Sequence, residues 1–267
     1  RRNRAPSDPR RDTSRSDCPA QEVMASDDGP IGILSAMPQE VAKLQEHVTD
    51  QQEHKFGIFS FTTGSLEGKK VVFAFSNVGM TFCASVATTM CNHFNVRCIL
   101  FTGVAGGLQE GQQIGDLVLG SEVVNHDMDC TGFVMGPKTH ALGEIPFVGW
   151  RFYEADKAML ALAQAWEPSA GVRVSTGLLA SGSVFISSEE AKRAFNASKG
   201  AALGNPVAVE MENAGVAQIC KAYDKPYLSL RALSDVLKGD ANADFNAFCQ
   251  QAANNTFPLV SHILRGL

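Results

Sequence analysis

Carboxylate side chains follow three predicted strands of this 267-residue chain, at the point where each strand ends. Glu40 follows the first strand, Glu210 and Glu212 follow a short strand at residues 207–209, and Asp235 follows a later strand. In open α/β sheets, ligands bind outside the carboxyl ends of the strands. Carboxyl groups can accept and donate protons during a reaction. The pattern therefore predicts a site of acid–base chemistry where these residues meet.

Each carboxylate also has a purely structural interpretation. Glu40 and Glu212 are placed near the first turn of a helix, where the helix dipole favours negative charge. Asp235 is of a residue type common at helix N-caps and in turns. The combination favours function, because glycines near the strand ends let a ligand approach the backbone. These glycines are Gly79, Gly103, Gly106, Gly107 and Gly182.

Strand and helix patterns alternate along the chain from Gly29. The predicted strands cover residues 31–34, 56–63, 70–75, 98–102, 116–119, 172–178, 207–210 and 227–233. The predicted helices begin near residue 41 and then cover residues 81–94, 155–166, 188–195, 213–223 and 242–264. Such alternation is typical of a mostly parallel sheet covered by helices on both faces. We therefore predict a single α/β domain, with a long loop at residues 131–149.

The chain divides at about residue 28. Its first sixteen residues include six arginines and few side chains that could enter a core, so residues 1–28 are predicted to be a disordered leader or a vector-derived tail. A basic targeting arm is the alternative, although Asp8 and Asp12 argue against a transit peptide. Residues 29–267 form the predicted domain. With 45% hydrophobic residues, the chain has ample material for a buried sheet.

Composition argues against two classes of partner. The net charge is -5 and the pI is about 5.7, whereas a nucleic-acid partner requires a basic face. No segment approaches the roughly 18 apolar residues that a membrane span needs. Seven scattered cysteines without a Cys-x-x-Cys pair are typical of reduced thiols in the cytosol. We therefore expect a cytoplasmic protein with neither nucleic acid nor membrane as a partner.

Three other features could carry chemistry, and each has a simpler explanation. The segment TGVAGG at residues 102–107 is glycine-rich but lacks the Lys-Ser/Thr ending of a phosphate loop. His126 and Asp127 have no second histidine or cysteine at metal-ligand spacing, so a solvated loop or a subunit interface is favoured there. A catalytic cysteine is less favoured than core packing, because most of the cysteines lie in apolar patterns. We predict no metal and no cofactor.

Seven sequence motifs occur in the order and at the spacing of a known family. They are IGILSAMPQE at residues 31–40, SNVGM at 76–80, TGVAGG at 102–107, IGDLV at 114–118, SGSVFI at 181–186, VEMEN at 209–213 and RALSD at 231–235. From about Gly29 to its C-terminus, the chain resembles the 5′-methylthioadenosine/S-adenosylhomocysteine nucleosidases of the nucleoside phosphorylase superfamily. The resemblance implies a three-layer α/β domain, with a central mixed, mostly parallel sheet flanked by helices. It also implies hydrolysis of the N-glycosidic bond of methylthioadenosine, and of S-adenosylhomocysteine, to adenine and a 5′-thio-substituted ribose.

The resemblance assigns a role to each of the three carboxylates. Asp235 would be the general acid that protonates N7 of the purine as the bond breaks. Glu212 would hold the ribose 2′-hydroxyl, and Glu40 would position and deprotonate the attacking water with help from Arg231. The other substrate-binding positions implied are Met37, Val78, Phe133, Val184, Phe185, Ile186, Met211, Ser234 and Phe245.

The resemblance further implies a homodimer that shares its sites. Met37, Val78 and Phe245 would line the pocket for the 5′-substituent, and Phe133 of the partner subunit would close it. The ring of Phe185 and the backbone beside it would hold the adenine. The expected ligand is thus an adenosine-type nucleoside.

These roles agree with the chemistry of the bond. Loss of a purine leaves an oxocarbenium-like sugar, so the site needs an acid at the leaving group and a carboxylate near the ring. Attack by water from the opposite face needs a base, as in an inverting glycosidase. A free aspartate is ionised at neutral pH, so Asp235 is expected to obtain its proton through burial beside other carboxylates.

Two positions depart from the family pattern, and two rival functions remain open. Val104 stands where Ser or Thr is frequent, which removes a hydroxyl that could hold the water, and Ser183 stands where Asp is frequent, which would loosen the purine loop. A phosphorylase of the same superfamily is the nearest rival, but the strand before TGVAGG lacks an expected arginine, and Glu40 would repel phosphate. A non-catalytic nucleoside-binding or storage protein is the rival from another class, since fold does not fix function.

Overall fold

A computed structural model of the protein describes residues 28–134, 139–238 and 241–267. The leader predicted for residues 1–28 lies outside these residues except for Asp28. The strands are β1 (Ile31–Ser35), β2 (Thr49–Phe56), β3 (Phe59–Leu66), β4 (Lys69–Phe75), β5 (Cys98–Gly107), β6 (Leu117–Asn125), β7 (Phe152–Glu154), β8 (Val174–Ser181), β9 (Ala208–Glu210) and β10 (Tyr227–Asp235). The helices are α1 (Pro38–His47), α2 (Met80–Asn92), α3 (Lys157–Gln164), α4 (Glu189–Phe195), α5 (Ala201–Leu203), α6 (Asn213–Ala222) and α7 (Ala241–Gly266), and a π-helical turn (Asn196–Gly200) joins α4 to α5.

Five strands of the mixed sheet form a closed ring. β5 pairs with β10, β10 with β6, β6 with β8, β8 with β9, and β9 returns to β5. From β5 the sheet continues outward through β1, β4, β3 and β2, and β7 pairs with β6. Within the ring, Gly106 of β5 is the register partner of both Val209 in β9 and Asp235 in β10. This pairing brings the ends of β9 and β10 together.

Helices cover the sheet on both faces. Side chains of α1, α3 and α7 pack in one apolar cluster, and side chains of α2 and α6 pack in another on the opposite face. Alternate residues of β5 enter the two clusters, with Cys98 and Leu100 in the first and Ile99 and Phe101 in the second. This alternation is what the pleat of a strand buried on both faces requires. The three-layer α/β prediction is therefore confirmed.

The structure adds β2 and corrects two of the predicted elements. β2 was not predicted, because its sequence TDQQEHKF is polar and the strand lies largely exposed at the edge of the sheet. The strand predicted at residues 56–63 instead spans a turn at Gly57, where φ is 61°. The glycine-rich TGVAGG segment, predicted to follow its strand, forms the second half of β5. Its backbone pairs with β10 and β9 on its two sides, which extends the strand to Gly107.

The long loop predicted at residues 131–149 agrees with the structure over its described residues. Residues 131–134 and 139–149 contain neither helix nor strand, and residues 135–138 lie outside the described part of the chain. Within the described ranges, none of the helices is both long enough and apolar enough to cross a bilayer.

Candidate active site

A cavity of about 440 Å³ opens where β5, β9 and β10 meet. Its walls are mostly apolar, and its charged lining residues are carboxylates. The lining residues are Ala36, Met37, Glu40, Val78, Val104, Ala105, Gly106, Val184, Phe185, Ile186, Val209, Glu210, Met211, Glu212, Ser234, Asp235 and Phe245. The cavity thus gathers all the predicted site residues except Arg231 and Phe133.

Glu40 lies in the first turn of α1 and is 5% exposed. Its Oε2 accepts hydrogen bonds from the backbone N–H groups of Ala36 at 3.0 Å and Met37 at 2.9 Å. Its Oε1 accepts a bond from the N–H of Val104 at 2.9 Å. Burial raises the pKa of Glu40, while Arg231 and these backbone donors oppose the rise. The side chain therefore serves the helix terminus, as the structural interpretation expected, and also faces the cavity.

Glu212 and Glu210 divide two tasks between them. Glu210 Oε2 accepts from the N–H groups of Glu212 at 3.0 Å and Asn213 at 2.9 Å, so Glu210 caps the start of α6. The Oε1 of Glu212 instead accepts from the N–H of Gly79 at 2.9 Å, across the cavity wall. Burial, with Glu210 next in effect, raises the pKa of Glu212 to about 8. Glu212 is thus left facing the cavity.

Arg231 lies beneath the cavity rather than in its lining. It is almost fully buried, its Nη2 donates to Oε2 of Glu210 at 3.0 Å, and its guanidinium carbon lies 4.0 Å from the ring centre of Phe101. Its charge acts on Glu40 and Glu212 as well as on Glu210. One guanidinium therefore acts on three buried carboxylates, and its direct hydrogen bond is to Glu210. Its predicted help to Glu40 stays a prediction.

Asp235 ends β10 and is 3% exposed. The hydroxyl of Ser234 donates to its Oδ1 at 2.9 Å. The ammonium of Lys192 in α4 donates to its Oδ2 and, at 2.6 Å, to the carbonyl oxygen of Val236. The sequence had predicted other carboxylates as the neighbours that control Asp235. That prediction omitted the charged group in direct contact with it, which is a lysine.

The loop at residues 182–188 covers the cavity with Val184, Phe185 and Ile186. The rings of Phe185 and Phe245 meet edge to face at 6.2 Å. The carboxylate of Asp127 accepts a hydrogen bond from the backbone N–H of Ser183. A carboxylate from the end of β6 thus holds the loop at the position where the family pattern has Asp and this chain has Ser183.

His126 does not lie in a solvated loop, which was one of the two settings predicted for His126 and Asp127, and a subunit interface stays a prediction. His126 is buried rather than solvated, and its ring lies 5.1 Å from that of Phe195. Its Nδ1 is 2.9 Å from Oδ1 of Asp127. No cluster of metal-binding side chains occurs in the part of the chain that the structure describes. The pair instead supports the cavity loop through the contact of Asp127 with Ser183.

The cysteines behave as small apolar residues. Cys83, Cys91, Cys98, Cys220 and Cys249 are buried free thiols, which confirms core packing for these five. Burial raises the pKa of Cys91, Cys98 and Cys249 to about 11. Such thiols stay protonated at neutral pH and are poor nucleophiles.

Phe133 lies outside the cavity of its own chain. Its side chain is 44% exposed, and its ring stacks 5.9 Å from that of His140. The prediction gave this residue to the neighbouring site in a dimer. Its place on the surface leaves it available for such a contact.

Sequence reasoning missed Lys192 and assigned Glu210 no role. Lys192 stands in the charged stretch EEAKRAF and resembled a surface residue. One signal was present, because Lys192 lies three residues before the buried Phe195 and therefore shares its helix face. Glu210 had been noted as a strand-end carboxylate, but which of two neighbouring glutamates caps the next helix depends on backbone geometry.

Comparisons with known proteins agree with this architecture. A family model described as the phosphorylase superfamily matches residues 30–265. A relative from Actinobacillus succinogenes, named 5′-methylthioadenosine/S-adenosylhomocysteine nucleosidase, is 35% identical over 237 residues, which make up 89% of this chain and 99% of the relative.

Two solved structures match over nearly their whole length. The 5′-methylthioadenosine/S-adenosylhomocysteine nucleosidase from Neisseria meningitidis, in complex with methylthio-immucillin-A, has a TM-score of 0.80 and 31% identity, covering 89% of this chain and 99% of that one. The futalosine hydrolase of Helicobacter pylori also has a TM-score of 0.80 and 31% identity, covering 90% and 99% of the two chains. The similarity therefore includes both the sequence and the complete fold.

Proposed function

The chain belongs to the phosphorylase superfamily, and from this premise we propose that it hydrolyses the N-glycosidic bond of 5′-methylthioadenosine and of S-adenosylhomocysteine. The products are adenine and the 5′-thio-substituted ribose. One observation carries the proposal: Glu40, Glu212 and Asp235, all nearly buried, line a single apolar cavity. The names of the relatives in Actinobacillus succinogenes and Neisseria meningitidis support the choice of substrate.

Asp235 is proposed to act on the leaving base. It lies beside Ser234 and near the loop residues Val184 and Phe185, whose apolar side chains suit the face of a purine. When the bond from C1′ to N9 breaks, the electron pair goes to the base, and a proton delivered to N7 makes adenine a neutral leaving group. General acid help of this kind contributes about 10² to 10⁴ in rate.

Glu212 and Glu40 are proposed to act on the sugar and the water. In its ionised form, Glu212 can accept a hydrogen bond from a ribose hydroxyl and stabilises the positive charge that develops on the ring. Glu40 can accept a proton from a water that attacks C1′ from the face opposite the base. Asp235 as the acid at the leaving base and Glu40 as the base at the water together give the arrangement of an inverting glycosidase.

The charge of the cavity favours water over phosphate as the acceptor. Among the described residues, its lining contains Glu40, Glu210, Glu212 and Asp235 but neither lysine nor arginine. A phosphate site needs cationic or amide donors. Arg231 is buried below the cavity and donates to Glu210. Phosphate would therefore be repelled by carboxylates, and the described lining residues offer it no lysine or arginine to bind.

One assay tests the acceptor. The protein is incubated with methylthioadenosine in the presence and absence of phosphate, and the sugar product is identified. We expect adenine release without phosphate and a free reducing sugar. Cleavage that requires phosphate and yields the sugar 1-phosphate would make the protein a phosphorylase. Binding without any cleavage would favour the storage function.

A substrate panel tests the 5′-pocket formed by Met37, Val78 and Phe245. We expect the highest kcat/KM for methylthioadenosine, because these side chains are apolar and match a methylthio group. The panel should contain S-adenosylhomocysteine, adenosine and futalosine, since the fold matches a futalosine hydrolase as well as a nucleosidase. A higher kcat/KM for futalosine would change the proposed substrate to futalosine and would leave the proposed hydrolysis of an N-glycosidic bond unchanged.

We also propose that the protein is a cytoplasmic homodimer. Support for the dimer comes from exposed apolar side chains on one loop, where the rings of Phe133 and Phe147 lie 6.0 Å apart. Support for the compartment comes from the free thiols among the described cysteines, which a reducing environment preserves. In this dimer Phe133 would close the 5′-pocket of the partner subunit.

A further inference from the structure

A buried lysine contacts the proposed general acid. Lys192 is 1% exposed, and its ammonium donates to Oδ2 of Asp235 and to the carbonyl oxygen of Val236. Lysines are almost never fully buried unless they are paired. The next residue, Arg193, is half-exposed and pairs with Glu189 on the helix surface. Helix α4 therefore directs one of two adjacent cations to the end of β10.

We propose that Lys192 is a positioning residue for the reaction. Its ammonium fixes the carboxyl group of Asp235 at the leaving base and stabilises the carboxylate that remains once the proton has moved to the purine. This inference rests on the proposed function, in which Asp235 is the general acid.

The contacts define the orientation of the acid. Oδ1 of Asp235 accepts from the hydroxyl of Ser234, and Oδ2 accepts from Lys192. Because each oxygen has its own donor, rotation of the carboxyl plane would break a hydrogen bond. The same ammonium also bonds to the backbone at Val236, which ties the side chain to the strand end. Supporting contacts of this kind hold a catalytic group in its productive geometry.

The surrounding charges explain why a cation is useful there. Asp235 is buried, and the other charged residues of the cavity lining are Glu40, Glu210 and Glu212. Once its proton has passed to the purine, Asp235 carries a negative charge in these buried, acidic surroundings, where an unpaired charge is costly. Among the described residues, Lys192 is the cation in contact with Asp235, and its ammonium pairs with that charge.

The proton balance of the reaction leaves Lys192 unchanged. Asp235 gives its proton to the purine as the C1′–N9 bond breaks, and the oxygen of water bonds to C1′ while its proton passes to Glu40. After the reaction, Asp235 is ionised and Glu40 is protonated. One proton released by Glu40 and one taken up by Asp235 restore the starting state. Lys192 remains an ammonium throughout and transfers no proton.

The first experiment compares two neighbouring lysine and arginine substitutions. Lys192→Met replaces the ammonium by an apolar group of similar length, and Arg193→Met is the matched control on the helix surface. We expect Lys192→Met to lower kcat for methylthioadenosine by about 10- to 100-fold with a smaller change in KM, which is part of the general acid contribution. Arg193→Met should stay within about twofold of the wild type, as surface substitutions usually do.

The second experiment asks whether Lys192 acts through Asp235. Lys192→Met is introduced into Asp235→Asn, and residual turnover is measured in both backgrounds. Residues that act as a unit are non-additive, so we expect little further loss, within about twofold, in the double variant. An equal loss in both backgrounds would overturn the inference, because Lys192 would then have only a general structural role.

A change of leaving group gives an independent readout. A 4-nitrophenyl riboside needs no protonation of its leaving group, because nitrophenolate is a stable anion. The loss caused by Lys192→Met should therefore shrink to a few-fold with this substrate, and an undiminished loss would contradict the inference. If Lys192→Met does not fold, Lys192→Gln, which keeps an N–H donor without the charge, undergoes the same comparisons.

The outcomes separate this inference from the proposed function. Wild-type protein that cleaves no purine nucleoside overturns both. Wild-type protein that cleaves methylthioadenosine, together with a Lys192→Met variant of equal kcat, overturns the inference alone. Adenine binding by calorimetry verifies that each variant retains its site.

Discussion

Four charged side chains lie close together beneath and beside the cavity, and three of them are acidic while one is basic. Glu40, Glu210 and Glu212 face the single guanidinium of Arg231. Like charges held close together in a buried site favour proton uptake by one of them. The pKa of Glu212 is raised to about 8 by burial and then by Glu210. At high pH the ionised Glu212 therefore adds a destabilising charge to this buried cluster.

The raised pKa of Glu212 predicts a pH-dependent change in stability. Between the usual value of 4.5 and about 8, the folded protein binds a proton that the unfolded chain has released, so its stability falls as pH rises through this window. Glu212→Gln removes the carboxylate and should raise the free energy of unfolding at pH 8 by roughly 1 to 3 kcal/mol. At pH 4.5 the difference should be small.

Urea unfolding at the two pH values measures this effect without substrate. Turnover should be lost in Glu212→Gln, since the ribose contact is changed. A stability difference that is the same at pH 4.5 and pH 8 would show that ionisation of Glu212 is not its cause.

Asp235→Asn tests the general acid directly. The amide keeps the size of the side chain and can still accept from Ser234, but it cannot supply the proton. We expect kcat to fall by about 10² to 10⁴ while binding of the nucleoside stays measurable by calorimetry. Turnover equal to that of the wild type would remove Asp235 from the proposed mechanism.

For single residues, the sequence predicted where the site residues lie in the chain better than it predicted which groups surround them. The positions of Glu40, Glu212 and Asp235 were predicted from the ends of the strands, because chain order fixes which residue follows a strand. Lys192 could not be selected by its type, since Lys192 and Arg193 are both long cationic residues and lie next to each other in α4. The phase of the helix decides which of them is buried, and a seven-residue helix gives a weak periodic signal.

Among the elements, β5 is the one on which the site depends most. A methyl group added at Gly103 would lie 2.7 Å from Oε1 of Glu40 and would collide with Nη1 of Arg231. One added at Gly106 would lie 2.8 Å from Oδ2 of Asp235. The glycines of β5 therefore make room for the three functional side chains that cross over it.

Gly103→Ala should both destabilise the protein and displace Glu40. Overpacking a filled site typically costs about 1 to 3 kcal/mol, and the nearest movable atoms belong to Glu40 and Arg231. We expect that loss in urea unfolding together with a reduced kcat/KM. Gly132→Ala is the control, because its added methyl group meets open space. Equal behaviour of the two variants would contradict the steric argument.

Two features that the sequence did not predict, β2 and the second half of β5, share one physical cause. β2 is held by hydrogen bonds to β3 at an exposed edge, so its side chains need no apolar pattern. The second half of β5 contains glycines, which are poor strand formers, and it is held by partners on both sides. In both cases pairing with a distant segment outweighs local propensity.

At the scale of the whole molecule, ring closure was beyond the reach of local patterns. The sequence predicted strands alternating with helices in three layers, and the structure has that architecture. The closing pairs join β5 to β9 and β10, more than 100 positions apart in the chain. The hydrophobic pattern of one strand does not show with which distant strand that strand will pair.

The proposed dimer predicts a shared active site. Light scattering should give about twice the chain mass of 28.6 kDa. Phe133→Ala should raise KM for methylthioadenosine several-fold, since the partner's pocket would lose an apolar wall. Mixed with Asp235→Asn subunits, it should regain the wild-type KM, because the hybrid dimer contains one site with both Asp235 and a partner's Phe133. A monomeric mass, or no recovery on mixing, would count against sharing.

β10 holds Asp235 in an enclosed part of the fold. All nine of its residues are buried, and it is hydrogen-bonded to β5 on one side and to β6 on the other. Amides in such strands exchange with solvent only when large parts of a protein open. Asp235 is thus anchored to a part of the molecule that opens rarely, whereas most residues of the loop at 182–188 are exposed or half-buried. Hydrogen exchange should find the amides of β10 among the slowest and those of the loop among the fast ones. Asp235 would then stay fixed during turnover, while the loop over the cavity moves as substrate enters and leaves.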